Sequence, residues 1–285
     1  MTFMGINKIL PKINRKYKQY KERAKYQEIL DKNSIFYQSK AGKVCFIVGN
    51  GPSINSQDLT KLINLETFLM NSFWRHPQYK IIRPKYYLGV SLPHGLGSTQ
   101  TLIWDQDFPG SNPVISSVPE TKLFFSIAAK EFIEKNNLFP QNPIYYILQQ
   151  ELIDKSLNFN VDPTKPMPFT KNSALLTMLL AVNMGFETIY LLGCEHDFAG
   201  HPSGQAFTDF KHFYNEPPGA IPDYWANTRY EDILAGTLRL FQGYRFFKEK
   251  MAKSHPQVKV FNSTPNSFLD VFPYKKFEEI DIHPL

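Results

Sequence analysis

Apolar residues arrive along this chain in short unbroken runs, not in strict alternation with polar ones. Val44–Val48, Thr67–Met70, residues 85–90, 144–148, Thr188–Leu192 and 258–261 each read as a strand covered on both faces. Residues 112–116 and 122–127 supply one or two more strands. Stretches of helical period lie between them, over 57–63, 128–136, 173–184 and 230–252. The last of these places Ile233, Leu234, Leu238, Phe241, Tyr244, Phe247 and Met251 on one stripe. Gly185 is positioned to end the helix before it. Alternating strands and helices predict an α/β fold, a Rossmann-like doubly wound and mostly parallel sheet. Residues 157–171 read as a polar, proline-bearing loop. Residues 199–228 combine aromatic side chains with little periodicity, which predicts a lid segment.

The first strand breaks into Gly49-Asn50-Gly51-Pro52-Ser53. Glycines on either side of an asparagine permit a tight turn and close approach of a ligand to the backbone. Ser53 or Ser56 is placed to cap a helix over 57–63, whose N-terminus would favour an anion. A nucleotide phosphate or ribose fits such a loop, and so does an ordinary strand-to-helix turn that binds nothing. Ligands of doubly wound sheets lie beyond the carboxyl ends of the strands. Three loops fall there: 49–53, 71–76 and 193–201.

Charge changes the picture only at the N-terminus. Residues 1–40 hold ten basic and three acidic side chains, a net +7, while the whole chain carries +6. The sequence pI of about 9.0 is therefore a property of this segment. It does not describe a nucleic-acid-binding face. The domain plan is a basic helical arm over 1–40 followed by one Rossmann-like domain over 41–285. Ile6, Ile9, Leu10 and Ile13 among the arm's lysines suit an anionic membrane surface, and equally a helix packed on the domain or on a second copy in a homo-oligomer. The two cysteines, Cys45 and Cys194, form neither a disulfide framework nor a metal pair. With no long apolar run and no signal-peptide core, the expected location is cytoplasmic, peripheral to the inner membrane face.

Four segments together carry a resemblance. They are IVGNGPS at 47–53, LMNSFW at 69–74, NSALLTMLLAVNMGFETIYLLGCEHDF at 172–198 and VKVFNSTPNSFLDVF at 258–272. In order and spacing they resemble the bacterial sialyltransferases of glycosyltransferase family 42. They also resemble the related domain of motility accessory factors and of the archaeal MptE-like pterin diphosphokinases. The resemblance implies a Rossmann-like fold, a CMP-activated sugar donor, transfer to a cell-surface glycan and no essential metal. Carried over by motif, it implies that Gly49, Asn50, Gly51, Pro52, Ser53, Asn71, Asn172 and Ser173 contact the donor. Ala174 replaces a family glycine. The family's two phosphate-binding tyrosines fall near Ala199 and Phe207, and its catalytic histidine at Ala235. The donor fold is thus matched, and the family's catalytic side chains are not.

Chemistry must then come from elsewhere. Glu195-His196-Asp197 follows a strand end, with His201 behind it. A histidine titrating near neutrality is a base, or a cation for phosphate, and a neighbouring carboxylate would fix its tautomer. Glu195, His196, Asp197 and His201 are therefore the candidate catalytic residues. Their spacing matches no metal motif, and no metal is assigned. Lys211 and His212 are candidates to offset phosphate charge, Glu231 or Asp232 beside Arg229 to act as a displaced base, and His94 to face the same cleft. Each has a plain structural alternative as a loop or helix-start residue. The activity that the resemblance implies is a glycosyltransferase with a nucleotide-sugar co-substrate, CMP-linked, no other cofactor, and a bacterial glycan or glycolipid acceptor. The alternatives are a diphosphokinase using ATP and Mg²⁺ on a small heterocycle, and a non-catalytic nucleotide-binding module.

Overall fold

The computed structural model describes residues 3–89, 113–200, 212–214 and 228–281. The strands are β1 (Val44–Val48), β2 (Thr67–Met70), β3 (Tyr86–Gly89), β4 (Lys122–Ser126), β5 (Ile144–Ile147), β6 (Gln149–Leu152), β7 (Met167–Phe169), β8 (Thr188–Leu192) and β9 (Lys259–Asn262). The α-helices are α1 (Phe3–Asp31), α2 (Tyr79–Ile82), α3 (Pro113–Ser116), α4 (Lys130–Lys135), α5 (Ser173–Asn183) and α6 (Tyr230–Ser254).

Seven strands form one sheet in the order β5-β4-β3-β2-β1-β8-β9, and every neighbouring pair is parallel. The chain winds outward from β1 to β5, then returns to the other side of β1 as β8 and β9. The order therefore reverses between β1 and β8, where an open parallel sheet leaves a crevice at its carboxyl edge.

Alternate side chains of each strand enter opposite layers. Cys45, Ile47, Phe68, Met70, Ile189 and Leu191 join one core, and Phe46, Val48, Leu69, Tyr190 and Leu192 the other. This is why the strands read as unbroken apolar runs. In the first layer α5 is buried along its whole length, so it has no solvent face and persists only between the sheet and α6. Gly243 lets the two helices approach, because a Cβ there would lie 3.0 Å from Leu175 Cδ2. Gly185, at φ +89°, ends α5 as expected.

The second layer departs from the helical expectation over 57–63. It holds there one short 3₁₀ turn, Leu59–Leu62, and another, Pro52–Ser56, precedes it. Neither Ser53 nor Ser56 caps; Asp58 does, accepting from Thr60 N at 3.1 Å. Gln57 is turned inward instead, donating to Ser263 O at 2.8 Å. Residues 113–116 form a helical turn, not a strand, consistent with Pro113 at its first position. The 157–171 loop contains β7, which pairs with β6 in a separate two-stranded sheet.

The N-terminal arm is continuous with the domain at its far end. Leu30 and Phe36 enter the two cores. The buried Asn33 donates to Tyr146 O and Pro163 O, each at 2.9 Å. It thereby covers the otherwise open edge at β5. Among the described residues no helix is long and apolar enough to cross a membrane.

Candidate functional site

Five-residue parallel pairing, from Val44 opposite Thr188 to Val48 opposite Leu192, makes β1 and β8 end level. Their loops leave side by side and are bonded to each other. Gly49 N donates to Leu192 O at 2.8 Å, and Gly51 N to Gly193 O at 3.0 Å. A Cβ on Gly49 would lie 2.3 Å from Gly193 O. These glycines are thus required by loop-to-loop packing before any ligand is considered.

Glu195 occupies the space that Gly51 leaves. Its Oε1 accepts from Ser53 N at 2.7 Å. Among the described residues the buried Oε2 meets no hydrogen-bond partner, and neither does the buried Asn50 Oδ1. Burial raises the Glu195 carboxyl pKa, partly offset by the Ser53 hydrogen bond, with the Asp197 charge raising it further. Glu195 therefore faces the glycine loop and not open solvent. The turn after β9 holds the segment from behind: Cys194 N donates to Thr264 Oγ1 at 3.0 Å and Ser267 Oγ to Cys194 O at 2.6 Å.

His196 follows with φ +52° and turns the other way. Its Nε2 lies 2.9 Å from Tyr244 OH on α6, and that hydroxyl donates to Asn172 Oδ1 at 3.4 Å. Asn172 in turn caps α5, accepting from Leu175 N at 2.7 Å. Burial pushes the imidazole pKa down to about 4, against a smaller upward pull from Asp197. The expectation of a histidine titrating near neutrality is corrected: at neutral pH this ring is uncharged, so it offers no cation to a phosphate. The partner of its Nε2 is a phenol. Asp197 sits beside it, half-buried.

Asn71 ends β2 at φ +50° and is reached by Ser173 Oγ at 3.3 Å, while Tyr87 OH donates to its carbonyl. Of the expected donor-side residues, Asn71, Asn172 and Ser173 are joined by hydrogen bonds, and the loop 49–53 is joined to Glu195. His201, His94, Lys211, Phe207 and most of the lid 199–228 lie outside the described residues. The described part of the lid, 212–214, lies on the glycine loop: Phe213 N donates to Asn50 O at 2.9 Å and Asn55 Nδ2 to Phe213 O at 3.0 Å. Here His212 stacks on Tyr214, and Arg75 lies 5.0 Å from the Tyr214 ring centroid. Glu231 and Asp232 pair with Arg229 at the exposed start of α6, at 2.6 and 3.3 Å. Ala235 is half-buried on the same helix. Among the described residues, no three His, Cys, Asp or Glu side chains are grouped as metal ligands.

Two participants were not legible as such. Tyr244 reads in sequence as one member of an apolar stripe, and its hydroxyl was the sole hint of a polar task. Phe213 reads as one aromatic residue of the lid among many.

No family model matches the chain, and no curated protein does. Solved structures similar to it include the following two. One is the Campylobacter jejuni sialyltransferase CstII in complex with a substrate analogue, cytidine-5′-monophosphate, at 16% identity and TM-score 0.45, covering 82% of this chain and 85% of that one. The other is the MAf glycosyltransferase from Magnetospirillum magneticum AMB-1, at 12% identity and TM-score 0.45, covering 90% of this chain and 39% of that one. Similarity of this degree does not by itself assign an activity.

Proposed function

We propose that this protein is a glycosyltransferase that takes its sugar from a nucleotide donor, CMP-linked, bound in the crevice between the β1 and β8 loops. The observation that carries the reading is a separation of hydrogen-bonding character along that crevice. At the glycine loop the buried atoms without a partner among the described residues include two acceptors, Asn50 Oδ1 and Glu195 Oε2, and the Ser53 N–H is already engaged by Glu195. At the start of α5 a buried donor, Asn172 Nδ2, has no partner among the described residues. It adds to the partial positive charge of a helix N-terminus. A nucleotide presents the matching pattern, with ribose hydroxyls or a base amino group at one end and phosphate at the other. On this reading the loop holds the nucleoside and the α5 terminus takes the phosphate, the reverse of a phosphate-cradling glycine loop.

The neutral His196 then has a positioning task. Through Tyr244 it fixes the Asn172 amide, with Nδ2 left for the phosphate. The proton of the acceptor hydroxyl is taken within 195–201, by Asp197 or His201, where a transferred sugar would meet its acceptor. The acceptor class is a bacterial surface glycan precursor.

The test is a thermal-shift series with CMP, CDP, UDP and ATP, each with and without Mg²⁺. At a ligand concentration of 100 Kd a bound nucleotide stabilises the fold by about 2.7 kcal/mol. Stabilisation by cytidine nucleotides without Mg²⁺, weakened in Asn172→Ala, is expected. Stabilisation by ATP with Mg²⁺ alone would turn the assignment to the diphosphokinase chemistry. No shift with any nucleotide would remove the donor site.

A further inference from the structure

A groove of about 760 Å³ runs along β6 and β7 and is walled on its far side by α1. This is within the range of about 300–1,000 Å³ of small-molecule sites. A second hollow of about 200 Å³ continues from it along the same strand, sharing Gln150 and Asp154 and adding Asn158 and Asn160. The groove ends at Lys171, and the next residue is Asn172 of the donor crevice.

The lining has a definite chemistry. Gln19, Gln149 and Gln150 contribute amides; the Nε2 of Gln149 already donates to Pro168 O at 3.2 Å and that of Gln150 to α1, so these two offer chiefly acceptors. Glu151 and Asp154 add acceptors, and Phe169 and Leu152 add apolar surface. Against these two carboxylates there is one cation, Lys171, so the lining is net negative by one charge. Planar amides and carboxylates beside an aromatic ring pair with vicinal hydroxyls and cover the apolar face of a sugar ring. A net negative lining disfavours a polyanion. The walls are also fixed in place: Gln150 Nε2 donates to Gln19 O at 3.3 Å and to Glu22 Oε2 at 3.1 Å, tying β6 to α1. Glu151 and Lys171 are both held in the left-handed region, at φ +59° and +61°. Non-glycine residues in that conformation cost free energy and gather at ligand clamps.

We infer that the groove between α1 and the β6–β7 sheet is the acceptor site, and that it takes a neutral oligosaccharide of more than one ring. This rests on the glycosyltransferase reading for the word acceptor, and on the groove itself for the glycan. It also gives α1 a task at the site, because its Gln19 forms part of the wall.

The test uses the full chain, labelled, on an array carrying neutral and sulfated or phosphorylated oligosaccharides, together with the CMP thermal shift. Leu152→Arg and Glu151→Lys both alter exposed side chains of the groove outside the donor crevice, and an unchanged circular-dichroism spectrum checks their fold. The expected result is retention of neutral oligosaccharides by the wild type, reduced at least about tenfold in both variants, with the CMP shift unchanged. Equal retention by the variants overturns the inference. So does a preference for polyanionic glycans, or no retention of any glycan by a protein that still binds CMP. Loss of the CMP shift with glycan retention intact would instead strike the donor reading and leave the groove standing.

Discussion

A Cβ placed on Gly51 would lie 1.4 Å from Oε2 of Glu195. The two residues are distant in sequence and fill one space. Gly51→Ala must therefore expel the Glu195 carboxyl and break its bond to Ser53 N. The expected cost is about 1–3 kcal/mol, the scale of a lost buried hydrogen bond to a charged group. In a Glu195→Ala background the same substitution should cost less than about 1 kcal/mol. Urea unfolding of the four proteins of this double-mutant cycle measures the coupling. A cost unchanged by removing Glu195 would show that Gly51 is constrained by something else.

Gly49 gives a contrasting case. Its added Cβ meets a backbone carbonyl, Gly193 O at 2.3 Å, and not the end of a side chain. Gly49→Ala should therefore be more destabilising than Gly51→Ala, and no side-chain truncation at 195 should rescue it. The same unfolding series decides the ranking.

The pH dependence of stability follows from two groups of opposite sign. His196 titrates near 4 in the folded chain, against about 6.5 unfolded. As pH falls from 6.5 towards 4 the unfolded chain takes up a proton that the folded chain does not, and stability is lost. The loss is about 3 kcal/mol at most, an upper bound for a half-buried ring. Asparagine tolerates the left-handed backbone at this position, so His196→Asn should keep the fold and flatten this slope. Urea midpoints at pH 7 and 4.5 would show it, and NMR titration of the ring gives its pKa directly.

Glu195 works the other way. Burial raises its pKa, so its contribution is present below the unfolded value near 4.5 and is lost as pH rises through the folded value. Glu195→Gln should therefore gain on the wild type as pH increases above 4.5. A variant stability that fails to rise relative to wild type as pH increases would mean that the carboxylate is better satisfied than burial of its Oε2 indicates.

Truncation of the arm should separate two roles. Removing residues 1–40 deletes Leu30, Asn33 and Phe36 from the core and the β5 edge, and the product should unfold or aggregate. Removing residues 1–15 spares them and takes away Lys8, Lys12 and Arg15. That form should fold, bind CMP, and bind anionic vesicles less tightly than the full chain, with the difference shrinking as salt rises. Equal vesicle binding by both forms would assign residues 1–15 another task.

The sequence determined the features that depend on neighbours along the chain. Unbroken apolar runs identify β1, β2 and β8 because both faces of a central strand are covered. Gly185 marks the end of α5 because a left-handed residue is needed at that point whatever surrounds it. The break of β1 into a glycine loop at the carboxyl edge of a parallel sheet was legible for the same reason. Tertiary structure decided what depends on residues far away. Residues 57–63 have helical period, yet Gln57 turns inward to Ser263, 206 positions further on, and the segment holds a single 3₁₀ turn, Leu59–Leu62. Tyr244 lies on an apolar stripe, but its hydroxyl meets His196 from 48 positions away and sets that ring's chemistry. The glycine loop itself changes meaning in the folded chain. Local sequence shows that Gly51 leaves room, and only the β1–β8 pairing shows that Glu195 fills it.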